Sequence, residues 1–400
     1  MDAAAIRRYA DLLLDVGANL QPGQILSVTA EPRAARFVRA IAEGAYARGA
    51  LFVDPWYFDP AVKRVRLEQA REETLDFVPP WYTDRLAELG RQRGARITLA
   101  PVVPPGALDG IPPARAGKDA LPSLPNVFEV INARTTNWHI APWPSADWAR
   151  VVHPDLDEEA AVATLWEELS YVLRLDEPDP TEAWRERLRE LHETGRRLDE
   201  RRLDALRFVG PGTDLTVGLL PTSRFAAESP GAQTVDGVVF SPNLPTEEIN
   251  TAPDPARVDG VVTATKPLDI FGAVVRGLRV RFAGGRAVEI EADENADVLR
   301  ARAQVDAGAS RLGEVALVDR EGRIGKTGTV FFNTLLDENA ASHIALGNAY
   351  AIGVDEEDVP RINTSEIHID FMIGSDDVTV TGLTRDGAEV PVLREGLWQL

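Results

Sequence analysis

Residues 275–292, VRGLRVRFAGGRAVEIEA, are two short β-prone runs on either side of a Gly284-Gly285 pair. That is the pattern of a β-hairpin closed by a glycine turn. The same texture extends in both directions. From Ala205 onward the chain is a succession of short β-branched runs separated by Gly and Asp, including TDLTVGL (213–219), VDGVVFSP (235–242) and VDGVVTAT (258–265). A second hairpin is expected through Arg385-Asp386-Gly387. Few helices interrupt these strands: one over Glu294–Val305 and one beginning near Asp337.

Upstream the rhythm differs. A helical apolar period (Ile6, Tyr9, Leu13, Val16) precedes the run QILSVTA (24–30), then comes a helix to Arg48 and the run ALFVD (50–54). Helix alternating with apolar strand is the signature of α/β layers. ARITLAP (95–101) follows a helical stretch from Trp81 to Arg93, and the proline-rich span from Pro101 to Pro125 reads as loop. Two helices, 158–175 and 181–202, close this half. The expectation is therefore an α/β N-terminal domain (1–203) and an α+β, β-rich C-terminal domain (204–400). A chain of 400 residues is long enough for two cores.

Composition narrows the chemistry. The 43 basic and 63 acidic residues give a net charge of −20, which repels a phosphate backbone, so nucleic acid is not an expected partner. With no cysteine, disulfides, thiolate nucleophiles and zinc–sulfur sites are excluded, and any metal must be held by nitrogen and oxygen. The N-terminus lacks an uninterrupted apolar core and no later stretch reaches membrane-spanning length, so cytoplasmic residence is the default. Two motif fragments fail. Gly325-Lys326-Thr327 lacks the glycine that opens a phosphate loop, Arg320 standing in its place, and His192-Glu193 is followed by Arg196 where a zincin needs its second imidazole.

Only five histidines are present, and His343 and His368 both lie in the last 60 residues beside carboxylates. In SEIHIDFMIG (365–374) the alternation places His368 and Asp370 on one face of a strand, where two ligands can grip one ion; a hydrogen-bonded polar strand face fits the same pattern. LLDENAASHIALGNAY (335–350) reads as a helix capped at Asp337, with Glu338 in its first turn, His343 on a face of small residues and Tyr350 seven positions on. SPNLPTEEINTAP (241–253) sets Glu247 and Glu248 in a rigid, non-ladder segment from which both could point inward. Glu314 in RLGEVALV (311–318) opens an apolar strand, where burial calls for a compensating cation.

Taken together, LPTEEINTAP, ATKPL, GEVALV, DENAASHIALGNAY and IHIDFMIGS resemble, in order and spacing, the thermophilic-type metallo-aminopeptidases, a family that includes aminopeptidases T and S. The N-terminal half resembles them more loosely. The resemblance implies that Glu248, Glu314, His343, His368 and Asp370 are metal ligands, Glu338 a further ligand, and Tyr350 a neighbour of the site. One departure is Arg361, where the family's run before Ile362-Asn363 leads us to expect glycine. It also implies homodimers and peptide substrates. Four carboxylates against two divalent ions give a nearly neutral site that can activate water for attack on the first peptide carbonyl. Tyr350 is then expected to donate to the oxyanion and Glu247 to shuttle the proton. Zinc or cobalt suits these ligands, manganese less obviously. Because His343, His368 and Asp370 alone form a two-histidine, one-carboxylate set, a mononuclear iron ring-cleaving dioxygenase on a related fold is the alternative.

Overall fold

A computed structural model of the chain describes residues 2–100, 108, 110–119, 121, 124–225, 232–270 and 272–400. The chain divides into two compact units, Met1–Leu188 with Pro230–Thr246, and Arg189–Ser229 with Glu247–Leu400. The seam falls inside the helix Pro180–Glu200, and residues 230–246, expected with the second half, belong to the first unit.

In the first unit four parallel strands lie in the order Phe52–Tyr57, Ile25–Ala30, Ala95–Ala100, Asn137–Pro142. The first helix, Ala3–Leu12, starts where the Asp2 carboxylate accepts the Ala5 N–H. Its apolar period holds: Ile6, Tyr9, Leu13 and Val16 are all buried, and the Tyr9 hydroxyl donates to the Pro142 carbonyl at 2.6 Å. The helices 158–172 and 180–200 correspond to the two expected. Two features escape the sequence pattern. Within the proline-rich span Pro113–Lys118 is helical, with Pro113 at the first turn where its missing N–H is harmless, and a further helix begins at Leu124; residues 101–107, 109, 120, 122 and 123 lie outside the described part. The strand Asn137–Pro142 is disguised because it buries polar Asn137 and His139.

The second unit holds an eight-stranded antiparallel sheet and a four-stranded one. The larger sheet contains the opening hairpin as strands Arg279–Ala283 and Arg286–Glu291, turned by Gly284 and Gly285 at φ 55° and 78°. Both values lie in the left-handed region that a tight hairpin needs and glycine tolerates. The hairpin 379–384/389–394 turns through Gly387, also at positive φ. The smaller sheet has the order His368–Met372, His343–Gly347, Leu312–Val318, Glu248–Thr251, every pair antiparallel. One apolar core takes Phe208, Val217 and Phe282 from the larger sheet and Val315, Ile344 and Phe371 from the smaller. No described helix is long and apolar enough to cross a membrane.

Two local expectations are corrected. The segment after Asp337 is not a long helix: a single turn, Thr334–Asp337, passes into a 3-10 turn, Glu338–Ala340, and His343 opens a strand. Asp337 is not a cap for that helix; its buried carboxylate accepts the N–H groups of Phe331 and Asn333 at 2.8 and 3.1 Å. Every residue of the strand 343–347 is buried, so it has no alternation to distinguish it from a helix. Likewise Glu248 stands in a ladder, opposite Val318.

Candidate metal centre

The register of the smaller sheet assembles the site. Asp370 lies opposite Ala345, which lies opposite Glu314; His368 lies opposite Gly347 and His343 opposite Ala316. Directly opposed residues share a face, and residues two apart along a strand share it too. His368, Asp370, His343, Glu314 and Glu248 therefore project from one face, with the small Gly347, Ala345 and Ala316 leaving room between them. Glu338 comes to the same place from the 3-10 turn.

Three groups of donor atoms lie within 4.8 Å of one another: Glu248, Glu314 and His343; Glu314, His368 and Asp370; Glu338, His343 and Asp370. Glu314 divides its carboxylate between the imidazoles. Its Oε1 is 3.3 Å from His343 Nε2 and its Oε2 is 3.7 Å from His368 Nε2. Glu248 Oε2 reaches His343 Nε2 at 3.0 Å, and Asp370 Oδ1 reaches His368 Nε2 at 3.3 Å. Each ring is fixed through its other nitrogen: His343 Nδ1–H donates to the Ala341 carbonyl at 3.2 Å and His368 Nδ1–H to the Asn348 carbonyl at 2.8 Å.

The electrostatics are extreme because the groups are buried. Burial raises the Glu314 carboxyl, and it raises Glu338 well above the ordinary range with Asp370 and Glu248 adding repulsion. Burial opposes charge on His368, yet Asp370 and Glu314 outweigh it and hold its pKa at about 10. His343 is also raised well above its usual value, the carboxylates of Glu248 and Glu314 overcoming its burial.

These residues fit a divalent cation. Glu248 Oε2 and Asp370 Oδ1 are buried, and although each lies 3.0 to 3.3 Å from an imidazole Nε2, neither makes an aligned hydrogen bond among the described residues, a costly condition that a cation relieves. The donor set is carboxylate oxygen and imidazole nitrogen, with both Nε2 atoms turned inward.

Among the expected site residues, Glu247 stands apart. It precedes the strand that begins at Glu248; its Oε1 accepts the Arg323 N–H at 3.4 Å, while its own N–H donates to Asn339 Oδ1 at 2.6 Å. It belongs to none of the three donor groups. The Tyr350 ring lies 5.2 Å from that of His368, brought there by the turn after the strand and not by a helical face. The sequence reading misses Asn250, whose amide reaches Glu314 Oε1 at 3.4 Å; its position two residues after Glu248 on the same strand face is the signal.

A model of the thermophilic metalloprotease (M29) family matches residues 2–398. The chain is similar to aminopeptidase T of Thermus aquaticus, 43% identical over 406 residues, and to aminopeptidase T of Thermus thermophilus, 42% identical over 402, each match covering 98% of both chains. Aminopeptidase AmpS of Bacillus subtilis is 37% identical over 404 residues, again with 98% of each chain covered. The solved structure of wild-type AmpT from Thermus thermophilus superimposes with a TM-score of 0.87 at 42% identity, covering 99% of each chain. A buried, cation-seeking donor set and a family match along almost the whole length lead to one assignment: the chain belongs to the thermophilic metalloprotease (M29) family.

Proposed function

We propose that this chain, a metal-dependent aminopeptidase, removes residues from the amino ends of peptides with two divalent ions held by Glu248, Glu314, Glu338, His343, His368 and Asp370. The division of the Glu314 carboxylate carries the two-ion reading, since its two oxygens face different imidazoles, each with its own further carboxylate. When bound, the ions supply Lewis acidity that polarises the scissile carbonyl and lowers the pKa of water. Zinc or cobalt suits imidazole with carboxylate, and manganese is admitted by the same donors.

The chain's own residues divide the remaining work. The net charge of −20 attracts the protonated α-amine of a peptide and so favours chain ends. Tyr350, beside His368, donates its phenol proton towards the oxyanion. Glu247, engaged with Arg323 and Asn339, acts only by holding that segment in place.

The reading makes the enzyme a cytoplasmic homodimer with peptide substrates and no nucleic-acid or membrane partner; the charge of −20 supports the exclusion of nucleic acid. The ring-cleaving dioxygenase alternative finds no support, the relatives described above all being named aminopeptidases. The test is metal analysis of the purified protein together with hydrolysis of aminoacyl-p-nitroanilides and their N-acetylated forms. Two divalent ions per chain and cleavage of the free amines only are expected. One iron per chain with oxygen uptake on an aromatic diol would overturn the reading, and sedimentation checks the dimer.

A further inference from the structure

The two imidazoles are aimed by different means. For His343 the accepting carbonyl, Ala341, is two residues away in the same segment. For His368 it is Asn348, twenty residues upstream, just past the end of the neighbouring strand. That carbonyl is set by an abrupt change in backbone direction. Gly347 has φ 108°, and a Cβ there would lie 2.1 Å from the Ile367 carbonyl oxygen, so only glycine permits the approach.

The peptide linking Gly347 to Asn348 is gripped from both sides. Its N–H donates to the Ile367 carbonyl at 2.7 Å. Its C=O accepts from Asn363 Nδ2 at 2.6 Å, and the same amide donates to the Gly308 carbonyl at 2.9 Å. Asn363 is buried. The loop that supplies Gly308 is itself tied to the segment leading into His368. Asp306 accepts the Gly308 and Ala309 N–H groups at 2.8 Å each, the Ser365 hydroxyl at 2.9 Å and the Glu366 N–H at 2.6 Å.

We infer that Asn363 is a positioning residue for the half of the site built from His368 and Asp370. By clamping the Gly347–Asn348 peptide it turns the Asn348 carbonyl to His368, which holds the ring by its Nδ1–H and aims Nε2 at the space shared with Glu314 and Asp370. Partners that orient a ligating histidine in this way typically change metal affinity by 10- to 100-fold when removed. The half built from His343 and Glu248 depends on Ala341 and does not use this clamp. The inference rests on the reading of the cluster as a metal centre.

The variant Asn363→Asp keeps the shape and removes the donor, placing a carboxylate oxygen against two carbonyls. Two measurements on the metal-free protein apply. Proton and nitrogen-15 NMR of the imidazoles reports the His368 Nδ1–H to Asn348 hydrogen bond, expected as a downfield, slowly exchanging proton in the natural protein and lost in N363D, with His343 unchanged. Calorimetric titration with zinc should give two binding events in the natural protein, one weakened about 10- to 100-fold in N363D and the other retained. Should N363D fail to fold, Asn363→Ser, which keeps one donor, is read the same way. Natural protein that binds no zinc sinks the metal reading, while the NMR comparison still decides the role of Asn363. An unchanged His368 Nδ1–H hydrogen bond together with two unchanged zinc events in the variant overturns the inference.

Discussion

His139 and His368 have the same local arrangement and opposite electrostatics. Both sit in strands of four-stranded sheets, and both donate Nδ1–H to a backbone carbonyl: His139 to Ser241 at 2.7 Å, His368 to Asn348 at 2.8 Å. Around His139, in the parallel sheet of the first unit, burial has no opposing carboxylate and pushes the pKa down to about 4. Around His368, in the antiparallel sheet of the second unit, burial is overcome by Asp370 and Glu314, and the pKa rises to about 10. A buried histidine is thus not a site by itself. The difference is made by strand register, which delivers carboxylates to one ring and none to the other.

Removing the metal should break the comparison most severely. Four carboxylates gathered around two rings are held apart poorly without a cation, so chelation should abolish peptidase activity and destabilise the second unit. An ion present at a thousand times its dissociation constant contributes about 4 kcal/mol to stability. Calorimetric unfolding with and without chelator measures this. An unchanged unfolding temperature would mean that the cluster does not bind metal in the folded chain.

Next in size are single substitutions in the two sheets. Glu314→Gln and His368→Ala should each lower kcat/KM by roughly 10²- to 10³-fold, the loss expected when a group that organises transition-state charge is removed. His139→Asn keeps a donor for Ser241 and should leave kcat/KM as it is in the folded protein. Steady-state hydrolysis of an aminoacyl-p-nitroanilide at saturating metal compares the three. Equal losses at both histidines would erase the distinction drawn between them.

That distinction was only half visible in the sequence. The spacing of His368 and Asp370 on one strand face is legible from period two alone, and the hairpin at Gly284-Gly285 from its turn chemistry. Joining Glu248, Glu314 and His343 to them required a resemblance, because partners 25 to 122 positions apart meet only through antiparallel register, which no local pattern encodes. His343 was misplaced on a helix for a related reason: the strand 343–347 is buried throughout and has lost the alternation that marks strands. Glu247 and Glu248 are indistinguishable as neighbours in a sequence, whereas the ladder opposite Val318 sends one towards the cluster and the other towards Arg323. Asn137–Pro142 went unread because buried polar residues in a strand look like a loop.

Acid should separate the two histidines in a quieter way. The pKa of His139 is depressed in the folded state, from an ordinary 6.5 to about 4, so folding favours its neutral form. Its contribution is complete above pH 6.5 and is lost as pH falls towards 4, because the unfolded chain takes up the proton first. Lowering the pKa from 6.5 to about 4 corresponds to about 3 kcal/mol. Urea unfolding at pH 7 and pH 4.5 should show this loss in the natural protein, and the loss should be smaller in His139→Asn. An identical pH dependence in both would place the acid sensitivity elsewhere.

The smallest effect concerns the space each ring occupies. On the face that carries the donor groups the residues between them are Gly347, Ala345 and Ala316, and they leave room. Against His139 the room is already full: a Cβ on Gly17 would meet the ring at 2.8 to 2.9 Å, closer than side-chain atoms approach. Gly17→Ala should therefore push the imidazole off the Ser241 carbonyl and cost about 2 kcal/mol, within the range for overpacked cores. His139→Ala alone leaves a void, and the added methyl group of Gly17→Ala would partly fill it. The double variant should then be more stable than the sum of the single losses allows, a coupling that denaturant unfolding of the four proteins measures directly. Strict additivity would mean that Gly17 and His139 do not share that space in solution.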